Sequence, residues 1–161
     1  VESQQQQRAP EPDFKTLLLQ VEQILGRTSP LPGRLAALCR LLRKTVPHYN
    51  WVGIYLVESP GWLVLGPYDG APTGHVRIPF GQGICGQVAA SGETLVVPDV
   101  STESNYLSCN VAVRSEIVVP LLRDGTVLGE LDIDSHRLAP FTPADRTFLE
   151  AVCARVAQLL P

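Results

Sequence analysis

The sequence predicts an α+β domain, a single antiparallel sheet with helices packed on a face. Three observations carry this reading. Apolar residues recur at three- and four-residue steps near both chain ends, the period switches to two across the middle, and the strands there are joined by short turns. The chain has 161 residues, 45% hydrophobic and 18% charged, enough for one domain with a sizeable core. A net charge of −3 without any basic block argues against nucleic acid as a partner. No apolar run approaches the ~20 residues that span a bilayer, and no signal-peptide pattern opens the sequence, so the cytoplasm is the expected compartment.

Residues 1–12 are polar, glutamine-rich and proline-containing, and read as a disordered lead-in to a single domain over 13–161. Phe14, Leu17, Leu18, Val21, Ile24 and Leu25 mark a first helix, with Asp13 as N-cap and Gly26 just past its end. A second helix covers about 32–46, with Leu35, Leu38, Leu42 and Val46 on one face and Pro47 closing it. Strands follow at 50–57, 62–68 and 76–79, the first two separated by a Ser59-Pro60-Gly61 turn. A short glycine-flanked helix at 83–91 leads to a strand at 94–97 and a long loop, 98–111. A hairpin pairs 115–122 with 126–134. Thr142-Pro143-Ala144-Asp145 has the pattern of a capping box and opens a last helix to about Leu160.

The hairpin holds the first candidate site. Its second strand places Glu130, Asp132 and Asp134 on one face and Val127, Leu131 and Ile133 on the other. The acidic face is either wet or covered, and the turn decides between the two. A three-residue Arg123-Asp124-Gly125 loop pairs Leu122 with Thr126 and sets Glu116 opposite Asp132; a two-residue turn pairs Ile117 with Asp132 and sends Glu116 to the other face. In the first register Glu116 shares its face with Val118, Pro120, Leu122 and Leu128, too apolar a set for open solvent. Covered acids persist either by holding a cationic ligand group or by keeping a proton through a raised pKa. The first option suggests an amine pocket, the second a general acid near neutral pH.

Trp51, Gly53 and Tyr55 point the same way along their strand. The missing side chain of Gly53 leaves either a slot between two rings or room for a packed helix. The four cysteines do not suggest a disulfide framework in a domain of this size. Cys39 and Cys153 fall among apolar helical positions and read as inert. Cys85 lies at the mouth of the short helix, where free N–H groups lower a thiol pKa, and Cys109 lies in the polar loop just before Glu116. Two such thiols near acids are the minimum set for thiol redox chemistry. His48, His75 and His136 share no ligand spacing with each other or with the thiols, so neither a metal nor another cofactor is expected.

Several segments, in order and spacing, resemble a GAF domain, and within that family the free methionine-(R)-sulfoxide reductases. They are Asn50-Trp51-Val52-Gly53-Ile54-Tyr55-Leu56, Leu63-Val64-Leu65-Gly66-Pro67-Tyr68, Val76-Arg77-Ile78-Pro79, Gly83-Ile84-Cys85-Gly86, Ser115-Glu116-Ile117-Val118-Val119-Pro120 and Leu131-Asp132-Ile133-Asp134-Ser135. The resemblance implies a GAF/PAS-like fold, a sheet of about six strands with the terminal helices on one face and the ligand pocket on the other. It implies reduction of free methionine-(R)-sulfoxide, with a thioredoxin-like partner restoring the enzyme. By position, Cys109 matches the nucleophilic thiol and Cys85 a second functional cysteine. Glu116, Asp132 and Asp134 match pocket acids, and Trp51 and Tyr55 the aromatic wall. The family pattern often has a further cysteine immediately before Val-Arg-Ile-Pro, where this chain has His75. A sensor module using the same pocket, and a structural domain self-associating through its terminal helices, are the alternatives.

Overall fold

Asp13 starts the first helix by chemistry visible in its side chain: one carboxylate oxygen accepts from the Thr16 backbone N–H at 3.1 Å and the other from the Thr16 hydroxyl at 2.7 Å. This computed structural model describes residues 10–108 and 110–161. Helix α1 (Phe14–Leu25) buries Leu17, Val21, Ile24 and Leu25, and α2 (Leu31–Thr45) buries Leu35, Leu38, Cys39 and Leu42. Strands β1 (Trp51–Glu58), β2 (Trp62–Asp69) and β3 (Arg77–Pro79) follow, then α3 (Gly83–Ser91) and β4 (Leu95–Val97). Strands β5 (Ser115–Arg123) and β6 (Thr126–Ser135) lead into α4 (Pro143–Leu159). The capping box expected at Thr142 and Asp145 is formed in both directions.

The six strands make one sheet in the order β3-β2-β1-β6-β5-β4, and every neighbouring pair is antiparallel. The alternation of side chains divides the apolar residues between its two faces. Helices α1, α2 and α4 cover one face, where Val52, Ile54, Ile117, Val119, Leu131 and Ile133 meet Leu17, Leu38, Leu42, Leu149 and Val152 in the larger core. Each such side chain contributes about 1.5–3 kcal/mol on burial, which makes this face the main source of stability. Cys39 and Cys153 belong to it, and burial pushes the Cys39 thiol up to about 12. On the opposite face, α3 and the segment after β4 cover Trp51, Tyr55, Leu63, Val97, Val113 and Val118. No helix among the described residues is long and apolar enough to cross a membrane.

The hairpin corrects the expected turn. Arg123 pairs with Thr126 across a two-residue Asp124-Gly125 turn, with φ of 53° and 77° at those residues. Two consecutive positive φ values define the turn that matches strand twist, and Asp-Gly is among its preferred sequences. Leu122 then pairs with Val127 but Leu121 with Gly129, so Leu128 is an extra residue in β6. This bulge changes the parity back. Glu116 therefore stays on the face of the acids, but lies opposite Asp134 rather than Asp132, whose partner is Val118.

Candidate functional site

Beneath α3, the second face of the sheet carries four carboxylic acids in an apolar setting. Glu116 on β5 and Glu130, Asp132 and Asp134 on β6 are all at most 5% exposed. Burial comes first among the causes that raise the carboxyls of Glu130, Asp132 and Asp134 above their ordinary values, and the Asp132 charge adds to it at Glu130 and Asp134. None of these three forms an ion pair with an Arg, Lys or His among the described residues. Taking an isolated carboxylate out of water is expensive, so the cluster sheds charge by keeping protons.

Cys85 completes the group. It occupies the first turn of α3, and its Sγ lies 3.4 Å from Asp132 Oδ2 and 3.8 Å from Glu116 Oε1. The expectation that the helix mouth lowers this thiol's pKa is overturned. Burial, then the charges of Asp132, Glu130 and Glu116, raise it well above the ordinary value. The partial charge of one helix end is outweighed by desolvation together with neighbouring acids. Cys85 is a protonated thiol donating into the cluster.

The aromatic slot is likewise different from the expectation. Trp51 and Tyr55 do share the site face, but a Cβ on Gly53 would overlap the Trp51 ring at Cη2 and Cζ3. The indole itself fills the space that Gly53 opens. It stacks on Tyr68 with ring centroids 5.5 Å apart, and its Nε1 donates to the Ala71 carbonyl at 2.9 Å. Tyr55 is fully buried and donates its hydroxyl to the His75 carbonyl at 2.8 Å.

Two hollows adjoin the acids. One of about 90 Å³ is lined by Trp51, Asp134, Arg43, Asn50, Asn110 and His136, among others. The second, about 10 Å³, lies between Tyr55, Ile78, Ile84, Cys85, Leu107 and Glu116. Glu116 and Asp134 stand directly opposite each other on β5 and β6, so the hollows border one cross-strand pair. Larger hollows of about 590 and 500 Å³ lie beside β5 and α4 and beside His48 and Arg137. Neither brings a thiol next to an acid.

Cys109 lies outside the described residues, and the chain before it is tied to other elements. Asn105 accepts from the Gly83 N–H at 2.9 Å and donates to the Gly81 carbonyl at 3.0 Å, which fastens the loop to the start of α3. The His75 ring Nε2 lies 2.8 Å from the Ser108 carbonyl and donates to it. Beyond, Asn110 accepts from the Ala112 N–H at 2.9 Å.

Sequence alternation puts Glu130 in the acid group without assigning it to the pocket, and it does not foresee the places of Arg43 and of the His75 ring. Glu130 is buried beneath α3 with the Cys85 thiol beside its carboxyl, and its two-residue spacing from Asp132 was the available signal. Arg43 reaches the hollow from the end of α2, and nothing in the local sequence marks it. The side-chain role of His75 depends on a loop contact 33 residues away.

Comparison with known proteins agrees with this architecture. The profile of the GAF domain matches residues 31–160. The chain belongs to the GAF domain family. Free methionine-R-sulfoxide reductase of Escherichia coli is 38% identical over 148 residues, covering 92% of this chain and 84% of that protein. Protein YtsP of Bacillus subtilis is 39% identical over 140 residues, covering 86% and 85%. Among solved structures, the free methionine-R-sulfoxide reductase of Neisseria meningitidis in complex with its substrate superposes with a TM-score of 0.85. It is 37% identical and covers 90% of this chain and 86% of its own. The GAF fold expected from the sequence, with terminal helices on one face of a six-stranded antiparallel sheet, is therefore the observed one.

Proposed function

We propose that this chain reduces free L-methionine-(R)-sulfoxide to methionine through thiol chemistry at Cys109. The observation that carries the reading is the buried group of Cys85, Glu116 and Asp132, with Asp134 opposite Glu116, in a chain 38% identical to a free methionine-R-sulfoxide reductase. A scaffold has no use for such a group. Unpaired buried acids lower stability, and an apolar face would pack better.

In this reading the substrate ammonium sits against the acid cluster at the Asp134 hollow, its positive charge favouring ionisation of the carboxyl it meets, and its sulfinyl end lies toward Cys85 and Tyr55. Both hollows fall well below the 300–1,000 Å³ of typical small-molecule sites, so the Trp51 ring shifts on entry. The Cys109 thiolate attacks the sulfoxide sulfur while a protonated acid of the cluster gives its proton to the oxygen. The oxygen passes to Cys109, leaving a sulfenic acid and neutral methionine. A second thiol, Cys85 or an external one, then forms a disulfide with Cys109 and releases water, and a thioredoxin-like dithiol returns both sulfurs to thiols. Cys85 attacks only once its proton has passed to a neighbouring carboxylate, because its raised pKa keeps it in the less nucleophilic form. His75 stands where the family pattern often has a cysteine, and its hydrogen bond to Ser108 positions the loop leading to Cys109.

The test is a coupled assay with thioredoxin, its reductase and free L-methionine-(R)-sulfoxide. Turnover is expected, with loss of activity in Cys109→Ser. Saturable binding of the sulfoxide without any product would favour the sensor reading, which the replacement by His75 makes the relevant alternative.

A further inference from the structure

The spacing of the thiol and acids also matches a chemistry that sulfoxide reduction does not need. In a tetrahedral zinc site, with Zn–S of about 2.3 Å and Zn–O of about 2.0 Å, a sulfur and an oxygen ligand stand roughly 3.5 Å apart. Cys85 Sγ lies 3.4 Å from Asp132 Oδ2 and 3.8 Å from Glu116 Oε1, and the donor atoms of all three residues fall within 4.8 Å of one another. They come from three separate elements, α3, β5 and β6, each fixed in the covered core.

A second observation points to a cation. The other oxygen of Asp132, Oδ1, is buried without a hydrogen-bond partner, and the buried oxygens of Glu130 on the same face have no donor beside them but the Cys85 thiol. Buried acceptors left unsatisfied are destabilising, and a divalent ion, taken up in exchange for the protons these groups otherwise keep, would satisfy them. Hard ions such as Ca²⁺ prefer six to eight oxygens, whereas one thiolate with two carboxylates suits a borderline ion.

We propose that Cys85, Glu116 and Asp132 form a three-ligand site for a borderline divalent cation such as Zn²⁺. The ion displaces the thiol proton of Cys85 and any proton held on the two acids, and these protons leave to solvent. The cavity of about 10 Å³ beside Cys85 and Glu116 has room for roughly one water, which would complete four-coordination. An ion seated there occupies the inner end of the pocket and excludes other ligands. The site does not depend on the reductase activity, and its test reads binding alone.

Reduced full-length chain is titrated with Zn²⁺ calorimetrically, and separately with Co²⁺ while absorption is recorded. The expected result is one ion per chain, with a thiolate-to-cobalt charge-transfer band of tetrahedral intensity. Cys85→Ser should abolish that band, and Cys85→Ser and Asp132→Asn should each weaken Zn²⁺ binding by about 100-fold or more. Near-ultraviolet circular dichroism checks that the variants fold, and the cobalt spectrum of the unmodified chain serves if Asp132→Asn does not. No stoichiometric binding, or a cobalt complex without a thiolate band, overturns the proposal. So does a band that persists in Cys85→Ser.

Discussion

At Glu130 a full carboxylic acid side chain is buried without an ion-pair partner, and burial, only partly opposed by the Cys85 thiol beside it, holds its carboxyl well above the ordinary range. Its effect on stability follows from linkage. In the unfolded chain this group loses its proton near the ordinary glutamate value, while in the folded chain burial, chiefly, keeps the proton on. Folding thus binds a proton as pH rises through that window, and the stability present at low pH declines until the folded group ionises. Glu130→Gln carries no such penalty. The variant is expected to match the parent below about pH 4 and to gain in melting temperature relative to it as pH rises toward 8. Melting curves across that range check this; a constant difference at all pH values would contradict it. The same residue shows what the sequence offered and withheld. Alternation placed Glu130, Asp132 and Asp134 together, but their depth depends on α3 lying over them, a long-range fact. For Cys85 the local sequence misled, because the helix mouth is visible in the glycine pattern while the three nearby acids are distant in the chain.

Secondary structure elements were legible wherever a local rule sets them. The Asp13 cap and the Thr142-Pro143-Ala144-Asp145 box were readable because their partners lie three residues away. The β5–β6 register was not. Arg123-Asp124-Gly125 suited a three-residue connection where a two-residue turn forms, and the placement of Glu116 also required the extra residue Leu128, which no local pattern announces. The shorter turn and the bulge each shift the pairing by one residue, so Glu116 moves from Asp132 to Asp134 and keeps the face of the acids. The α4 box also has a role beyond its helix. Asp145 accepts from the Thr142 backbone N–H at 2.8 Å, from Tyr49 at 2.7 Å and from the His48 ring at 2.7 Å, joining α4 to the segment after α2. Burial alone would raise its carboxyl, but the bonds from His48, Thr142 and Tyr49 outweigh this and hold it below the ordinary value. A depressed folded pKa contributes stability above the unfolded value, lost as pH falls through the folded one. Asp145→Ala is therefore expected to cost about 1–3 kcal/mol at neutral pH and much less in acid. Urea unfolding at pH 7 and pH 3 measures the difference, and equal losses at both would rule out the linkage.

Across the whole molecule, the two faces of the sheet differ in what they bury. One face carries the three-helix core and its inert thiols, and the other carries α3, Cys85 and the acids whose burial lowers stability. This division is the physical case for a reacting site: the second face retains costly groups because the first supplies the free energy to hold them. The fold class and the side on which the pocket lies could be read from periodicity together with the family resemblance. The filled space at Gly53 could not, since it depends on the rotamer of Trp51. The most direct check needs no partner protein. Fully reduced chain is mixed with excess free L-methionine-(R)-sulfoxide, with no reductant present, and the methionine formed is counted. One methionine per chain is expected in a single burst, absent in Cys109→Ser. No methionine from the unmodified chain would contradict it.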